Sequence, residues 1–168
     1  MNGEEIWQIL RDGGLTVERS DDEADAGYRI VGSFHPLANP VAVDALGVML
    51  AERARDLDPD VVVVGEGAKD LLLGFVVARE LNRPLVRCLN LEGLVGAVGT
   101  IARDARGIFV ADKVRKSGFV HAVSNLMDRE GGQLVAVVSF VTADAPEMPV
   151  PWRGLVTAAE GLRDTPRP

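Results

Sequence analysis

Val61-Val62-Val63-Val64-Gly65-Glu66-Gly67-Ala68-Lys69-Asp70 decides the reading of the fold. Four consecutive β-branched residues without polar alternation describe a strand covered on both faces, as in the centre of a parallel sheet. The glycines end the strand, and the apolar spacing that follows predicts a helix from Lys69 to Leu81. A second apolar strand runs from Pro84 to Leu89, and a third from Ile108 to Ala111. A helix over Ser117–Arg129 leads to a fourth strand, Leu134–Val141. This alternation predicts an α/β protein with a doubly wound, mostly parallel sheet and helices on both faces.

Working outward, Asn39-Pro40 marks a helix start, with asparagine as N-cap and proline in the first turn. That helix extends to about Leu57, with Val43, Leu46, Met49 and Leu50 at helical spacing. Tyr28–Phe34 alternates as a strand. Residues 4–12 form a short amphipathic helix stopped by Gly13-Gly14. The acidic stretch through Glu18, Asp21, Asp22, Glu23 and Asp25 is expected to be a solvated loop, because like charges this dense repel. Segment 90–106 contains Gly93, Gly96 and Gly99 and has no strong periodicity. The tail holds Pro146, Pro149 and Pro151, a short strand Gly154–Thr157 and an end expected to fray.

The chain has 168 residues and a formal net charge of −7. An acidic balance argues against a nucleic-acid partner held by phosphate neutralisation, but allows a local site for a small phosphorylated ligand. Cys88 is the one cysteine, so no intramolecular disulfide forms, which fits a reducing compartment. The amino end shows no basic-then-apolar leader, and no apolar run approaches the ~20 residues a membrane span needs. The expected location is the cytoplasm, with no membrane partner.

Ligands of open parallel sheets bind beyond the carboxyl ends of the strands. Two strand-end loops qualify, Gly65–Asp70 and Asp112-Lys113-Val114-Arg115-Lys116-Ser117-Gly118. Lysine and arginine total 18, yet the lysines are only Lys69, Lys113 and Lys116, all in these loops. Loop amides at helix starts backed by flexible cations suit an anion. Common phosphate motifs are absent. Gly65 and Gly67 fall in dinucleotide-loop order, but Asp70 stands where a third glycine belongs, and neither loop spells a P-loop. The two histidines, His35 and His121, have no partners at zinc spacing, so no metal site is expected.

The second loop resembles the phosphoribosyl-pyrophosphate signature of type I phosphoribosyltransferases: four apolar residues, two acids, two apolar residues, then Thr/Ser-Thr/Ser-Gly-Gly-Thr. Asp112 matches the first acid, and Lys113 replaces the second. Val114, Ser117 and Gly118 match, whereas Arg115, Lys116, Phe119 and Val120 depart. The loop after the valine run is similar to the family's pyrophosphate loop, and segment 90–106 sits where these enzymes keep a lid. The short N-terminal helix and the tail Val150–Thr157 are similar to those of the orotate branch, although no orotate-recognising segment is recognisable around Ser33–Asn39.

The resemblance implies one domain over 1–168, with a core of 39–144 and a small hood built from 1–38 with 145–168. It also implies roles for particular residues. Asp112 would accept from ribose hydroxyls, with Lys113 beside it as the second catalytic position. Lys116, Ser117, Gly118, Phe119 and Val120 would wrap the 5-phosphate. Glu66, Gly67, Ala68 and Lys69 would meet the pyrophosphate, and Arg103 and Arg106 would serve the lid. Any magnesium would arrive with the substrate pyrophosphate, and the protein would be a homodimer. The implied function is binding of a phosphorylated ribose, with transfer of the phosphoribosyl group to a nitrogen base. The alternative is a catalytically inactive relative that binds a nucleotide or phosphate as a regulatory or partner protein.

Overall fold

A computed structural model describes residues 1–20, 28–91, 94–114, 117–142 and 148–163. The valine run is β3 (Val61–Val64), at the centre of a six-stranded sheet. It pairs in parallel with β4 (Leu85–Leu91) on one side and β6 (Arg106–Lys113) on the other. Beyond β6, β7 (Gln133–Thr142) and β8 (Trp152–Thr157) continue in parallel. The far edge is β5 (Leu94–Val98), antiparallel to β4, which gives the order β5-β4-β3-β6-β7-β8.

The uninterrupted apolar runs serve two cores at once, because successive side chains leave a strand on opposite faces. Val62, Val64, Ile108 and Val110 pack with Leu46 and Leu50 of α2 (Pro40–Ala54) and Leu73 and Val77 of α3 (Ala68–Leu81). Val61, Val63, Phe109 and Ala111 pack with Val120, Val123, Leu126 and Met127 of α4 (Ser117–Arg129). The start of α2 follows the sequence reading: the Asn39 side chain accepts from the Ala42 amide at 3.0 Å, with Pro40 in the first turn. The helix ends at Ala54, and a single 3-10 turn carries the chain to Leu57.

At the amino end, α1 (Gly3–Asp12) begins with a capping box between Asn2 and Glu5. It leads into a hairpin of β1 (Leu15–Arg19) and β2 (Tyr28–Gly32). Glu18, expected in a solvated loop, therefore lies in a strand. Leu15 and Val17 are buried, and this alternation makes a strand despite Glu18 and Arg19 at its exposed end. Residues 21–25 of the acidic stretch lie outside the described residues. Residues beyond β8 form α5 (Ala158–Arg163), and the last five residues of the end expected to fray lie outside the described residues. Trp7, 1% exposed, holds α5: a Cβ on Gly161 would lie 2.6 Å from the indole ring.

The hairpin continues past Gly32 through Ser33 N–H to the Gly14 carbonyl and His35 N–H to the Gly13 carbonyl. This sends Phe34 into the core, edge-on to Phe140 with ring centroids 5.4 Å apart. Ser33 is thereby brought over the carboxyl end of β6. Segment 90–106 also departs from expectation. Its Asn90, Leu91 and Leu94–Val98 belong to the β4–β5 hairpin, in register from Arg87↔Val98 to Leu91↔Leu94.

Candidate functional site

The site forms where β3 and β6 end and α3 and α4 begin. A cleft of about 520 Å³ opens there, lined by Ser33, Asp70, Phe109, Ala111, Asp112, Lys113, Val114, Phe119 and Val120. Strand β6 extends to Lys113, two residues beyond the expected Ala111, so Asp112 and Lys113 are strand residues with opposed side chains. Asp112 has the parity of Ile108 and Val110 and faces the hood and α3. Lys113 has the parity of Phe109 and Ala111 and faces α4, where it is 8% exposed.

Asp112 is held from two directions. Ser33 Oγ donates to its Oδ2 at 3.1 Å. Its backbone N–H donates to Asp70 Oδ1 at 3.2 Å. The second bond has a structural cause. Strand β3 stops at Val64, opposite Val110, so strand pairing no longer supplies a carbonyl for the Asp112 amide, and the Asp70 carboxylate does so instead. Burial pushes the Asp70 carboxyl up to about 6; the Asp112 amide opposes the shift, the Asp112 charge adds to it, and the Lys69 charge opposes it.

The phosphate loop candidates divide. Ser117, Gly118, Phe119 and Val120 form the first turn of α4. A Cβ at Gly118 would meet nothing within 4 Å, so no neighbouring atom crowds this position. Val120 is buried, and Phe119 leans against Phe109 with centroids 5.7 Å apart, narrowing the cleft. Lys116 lies outside the described residues.

The other loop is braced from β4. The Arg87 guanidinium donates to the Glu66 carbonyl, and the Asn90 backbone N–H donates to the Glu66 carboxylate at 3.4 Å. Gly67 caps α3 with extended backbone and no capping side chain, and Ala68 is the first helical residue. Lys69 is half-buried and lines a separate small cavity with Phe34, Pro36, Val43, Leu73, Asp112 and Phe140, on the hood side.

Arg103 and Arg106, expected at a lid, are not among the residues that line the cleft. Arg106 opens β6 at the end opposite Asp112, about 20 Å away along the strand at ~3.3 Å per residue. Its amide donates to Asp60 at 2.8 Å and its guanidinium to the Leu57 carbonyl at 3.1 Å. Arg103 lies at that same end, its Cγ 3.7 Å from the Cβ position of Gly131.

Ser33 and Asp70 also line the cleft and Arg87 braces the neighbouring loop, and none was singled out in the sequence for this. Ser33 is 79 residues from the aspartate it bonds. Asp70 was visible as the residue that spoils a glycine motif, and its charge at a helix start was the available signal. Among the described residues, no group of three or more His, Cys, Asp or Glu could hold a metal ion. No described helix is long and apolar enough to cross a membrane.

No family model matches the sequence, and no curated relative does. The fold does have solved counterparts. The adenine phosphoribosyltransferase of Thermoanaerobacter pseudethanolicus superposes with a TM-score of 0.69 at 16% identity, over 93% of this chain and 99% of that one. The orotate phosphoribosyltransferase of Mycobacterium tuberculosis, solved with inorganic phosphate, gives 0.65 at 16% identity, over 93% and 95%. The UMP synthase of Leishmania donovani gives 0.73 at 16% identity, over 95% of this chain and 37% of that longer one. The sheet order, the helices on both faces and the small N-terminal helix and hairpin together give this chain the type I phosphoribosyltransferase fold.

Proposed function

We propose that the cleft binds a phosphorylated ribose, with the 5-phosphate at the first turn of α4 and the sugar hydroxyls at Asp112. One observation supports this reading: Asp112, held by Ser33 and Asp70, lines the same cleft as Phe119 and Val120 in the first turn of α4. The amide groups of Ser117–Val120 are helix-start donors whose partial positive charge suits a phosphate. A carboxylate held in place is a pre-organised acceptor for neighbouring hydroxyls. Lys113, buried on the α4 side, adds a cation to the same cleft.

Calorimetric titration with ribose 5-phosphate tests the reading. Saturable binding that is abolished in Ser117→Asp, and weakened about tenfold or more in Asp112→Asn, is the expected result. Heats that are unsaturable, or identical in all three proteins, contradict it.

Phosphoribosyl transfer to a nitrogen base is a second reading, favoured by counterparts that are adenine and orotate phosphoribosyltransferases. In that chemistry pyrophosphate leaves the anomeric carbon through an oxocarbenium-like state and a base nitrogen bonds to the opposite face. Asp112 would steady the hydroxyls, and Lys113 would offset charge on the departing pyrophosphate. Transfer requires the loop at Gly65–Lys69 to receive pyrophosphate, and turnover with magnesium and a purine or pyrimidine acceptor would demonstrate it.

A further inference from the structure

The loop between β3 and α3 already contains an anion. Asp70 Oδ2 lies 3.1 Å from where a Cβ of Gly65 would stand and 3.6 Å from that of Gly67, so the carboxylate packs against both glycines of the loop. Its Oδ1 holds the Asp112 amide. One carboxylate thus spans from the loop to the end of β6.

We propose that the Asp70 side chain is the resident anion of this loop, so that the cleft takes a singly phosphorylated ribose and rejects one carrying pyrophosphate at the anomeric carbon. The ligand class is then ribose 5-phosphate or a nucleoside 5′-monophosphate. This rests on the reading that the cleft binds a phosphorylated ribose. It accounts for the distribution of charge around the loop. Of the nearby cations, Arg87 donates to the Glu66 carbonyl, Lys69 lies beside Asp70 and the cavity of Phe34 and Asp112, and Lys113 stands on the α4 side of the cleft, away from the loop. An incoming pyrophosphate would meet the Asp70 and Glu66 carboxylates in place of free donors. It could enter only by displacing Asp70, which would leave the Asp112 amide without its acceptor. The phosphate position at α4 is untouched by this, because Gly118 faces open space.

The test compares ribose 5-phosphate, 5-phosphoribosyl-1-pyrophosphate and inorganic pyrophosphate by calorimetry with magnesium at pH 7.5. The proteins are the full chain, Asp70→Asn and Asp70→Ala, each checked for folding by its thermal transition. The full chain is expected to bind ribose 5-phosphate at least as tightly as the diphosphorylated sugar and to show no saturable binding of pyrophosphate. In both variants the ratio of affinities should move toward the diphosphorylated sugar by about tenfold or more, further in alanine than in asparagine. A full chain that prefers the diphosphorylated sugar, or a ratio that neither variant moves, overturns the inference while leaving the cleft a sugar-phosphate site. A full chain that binds neither sugar contradicts the functional reading itself and the inference with it.

Discussion

The carboxylate of Asp70, in the first turn of α3, accepts the backbone N–H of Asp112 at the end of β6, 3.2 Å away. One bond therefore fixes the separation of the two loops that frame the cleft. It also puts two acidic side chains in the same part-buried region, where the Asp112 charge disfavours that of Asp70.

Asp70 makes stability depend on pH. Its carboxyl is raised to about 6 in the folded protein, chiefly by burial, so the folded state holds a proton that the unfolded chain has already lost. The favourable contribution is fully present below the ordinary aspartate range and disappears as pH rises through about 6. In Asp70→Asn the carbonyl oxygen can still accept from the Asp112 amide, but no charge develops. The variant should match the parent near pH 4 and exceed it by on the order of 1 to 2 kcal/mol at pH 8, a value discounted for the partial exposure of the group. Melting temperatures of both proteins between pH 4 and 8 check this; parallel curves would contradict it.

The hood is anchored by a contact that tolerates no side chain. A Cβ at Gly161 would lie 2.6 to 2.8 Å from three atoms of the Trp7 ring. Gly161→Ala should displace α5 or the indole and destabilise the protein by about 1–3 kcal/mol, the usual range for overpacking. Denaturant unfolding gives the energy, and a changed tryptophan emission gives the location.

Arg106 ties the opposite end of the sheet to Leu57 and Asp60. Arg106→Ala should cost about 0.5–1.5 kcal/mol through the side-chain bond it loses. Its affinity for ribose 5-phosphate should stay within about twofold of the parent, since the strand holds it roughly 20 Å from the cleft. A large loss of affinity in a fully folded Arg106→Ala would return this arginine to the site.

The sequence was most legible where burial on both faces removed ambiguity. Val61–Val64, Ile108–Ala111 and the helices between strands follow from local composition alone, and Asn39-Pro40 marks the start of α2. The hairpin of β1 and β2 was half hidden, because Glu18 and Arg19 occupy the exposed end of a strand whose buried positions are only Leu15 and Val17. Strand β5 was hidden by its glycines and by its edge position, where Leu94 and Val98 remain exposed. The loops of the site were readable as strand ends followed by helix starts. The partners of Asp112 were not, because Ser33 and Asp70 come from sequence positions 79 and 42 residues distant. Arg103 and Arg106 followed from position in the resemblance, and the hairpin at 85–98 turns the chain away from the cleft before reaching them.

The most direct measurement of the central claim is a crystal structure of the protein with ribose 5-phosphate. Phosphate oxygens are expected about 3 Å from the amide nitrogens in the first turn of α4, around Gly118, with the ribose hydroxyls at the Asp112 carboxylate and the Asp70 side chain still against Gly65 and Gly67. A phosphate seated in the Gly65–Gly67 loop with Asp70 displaced, or a sugar bound away from Asp112, would contradict that claim.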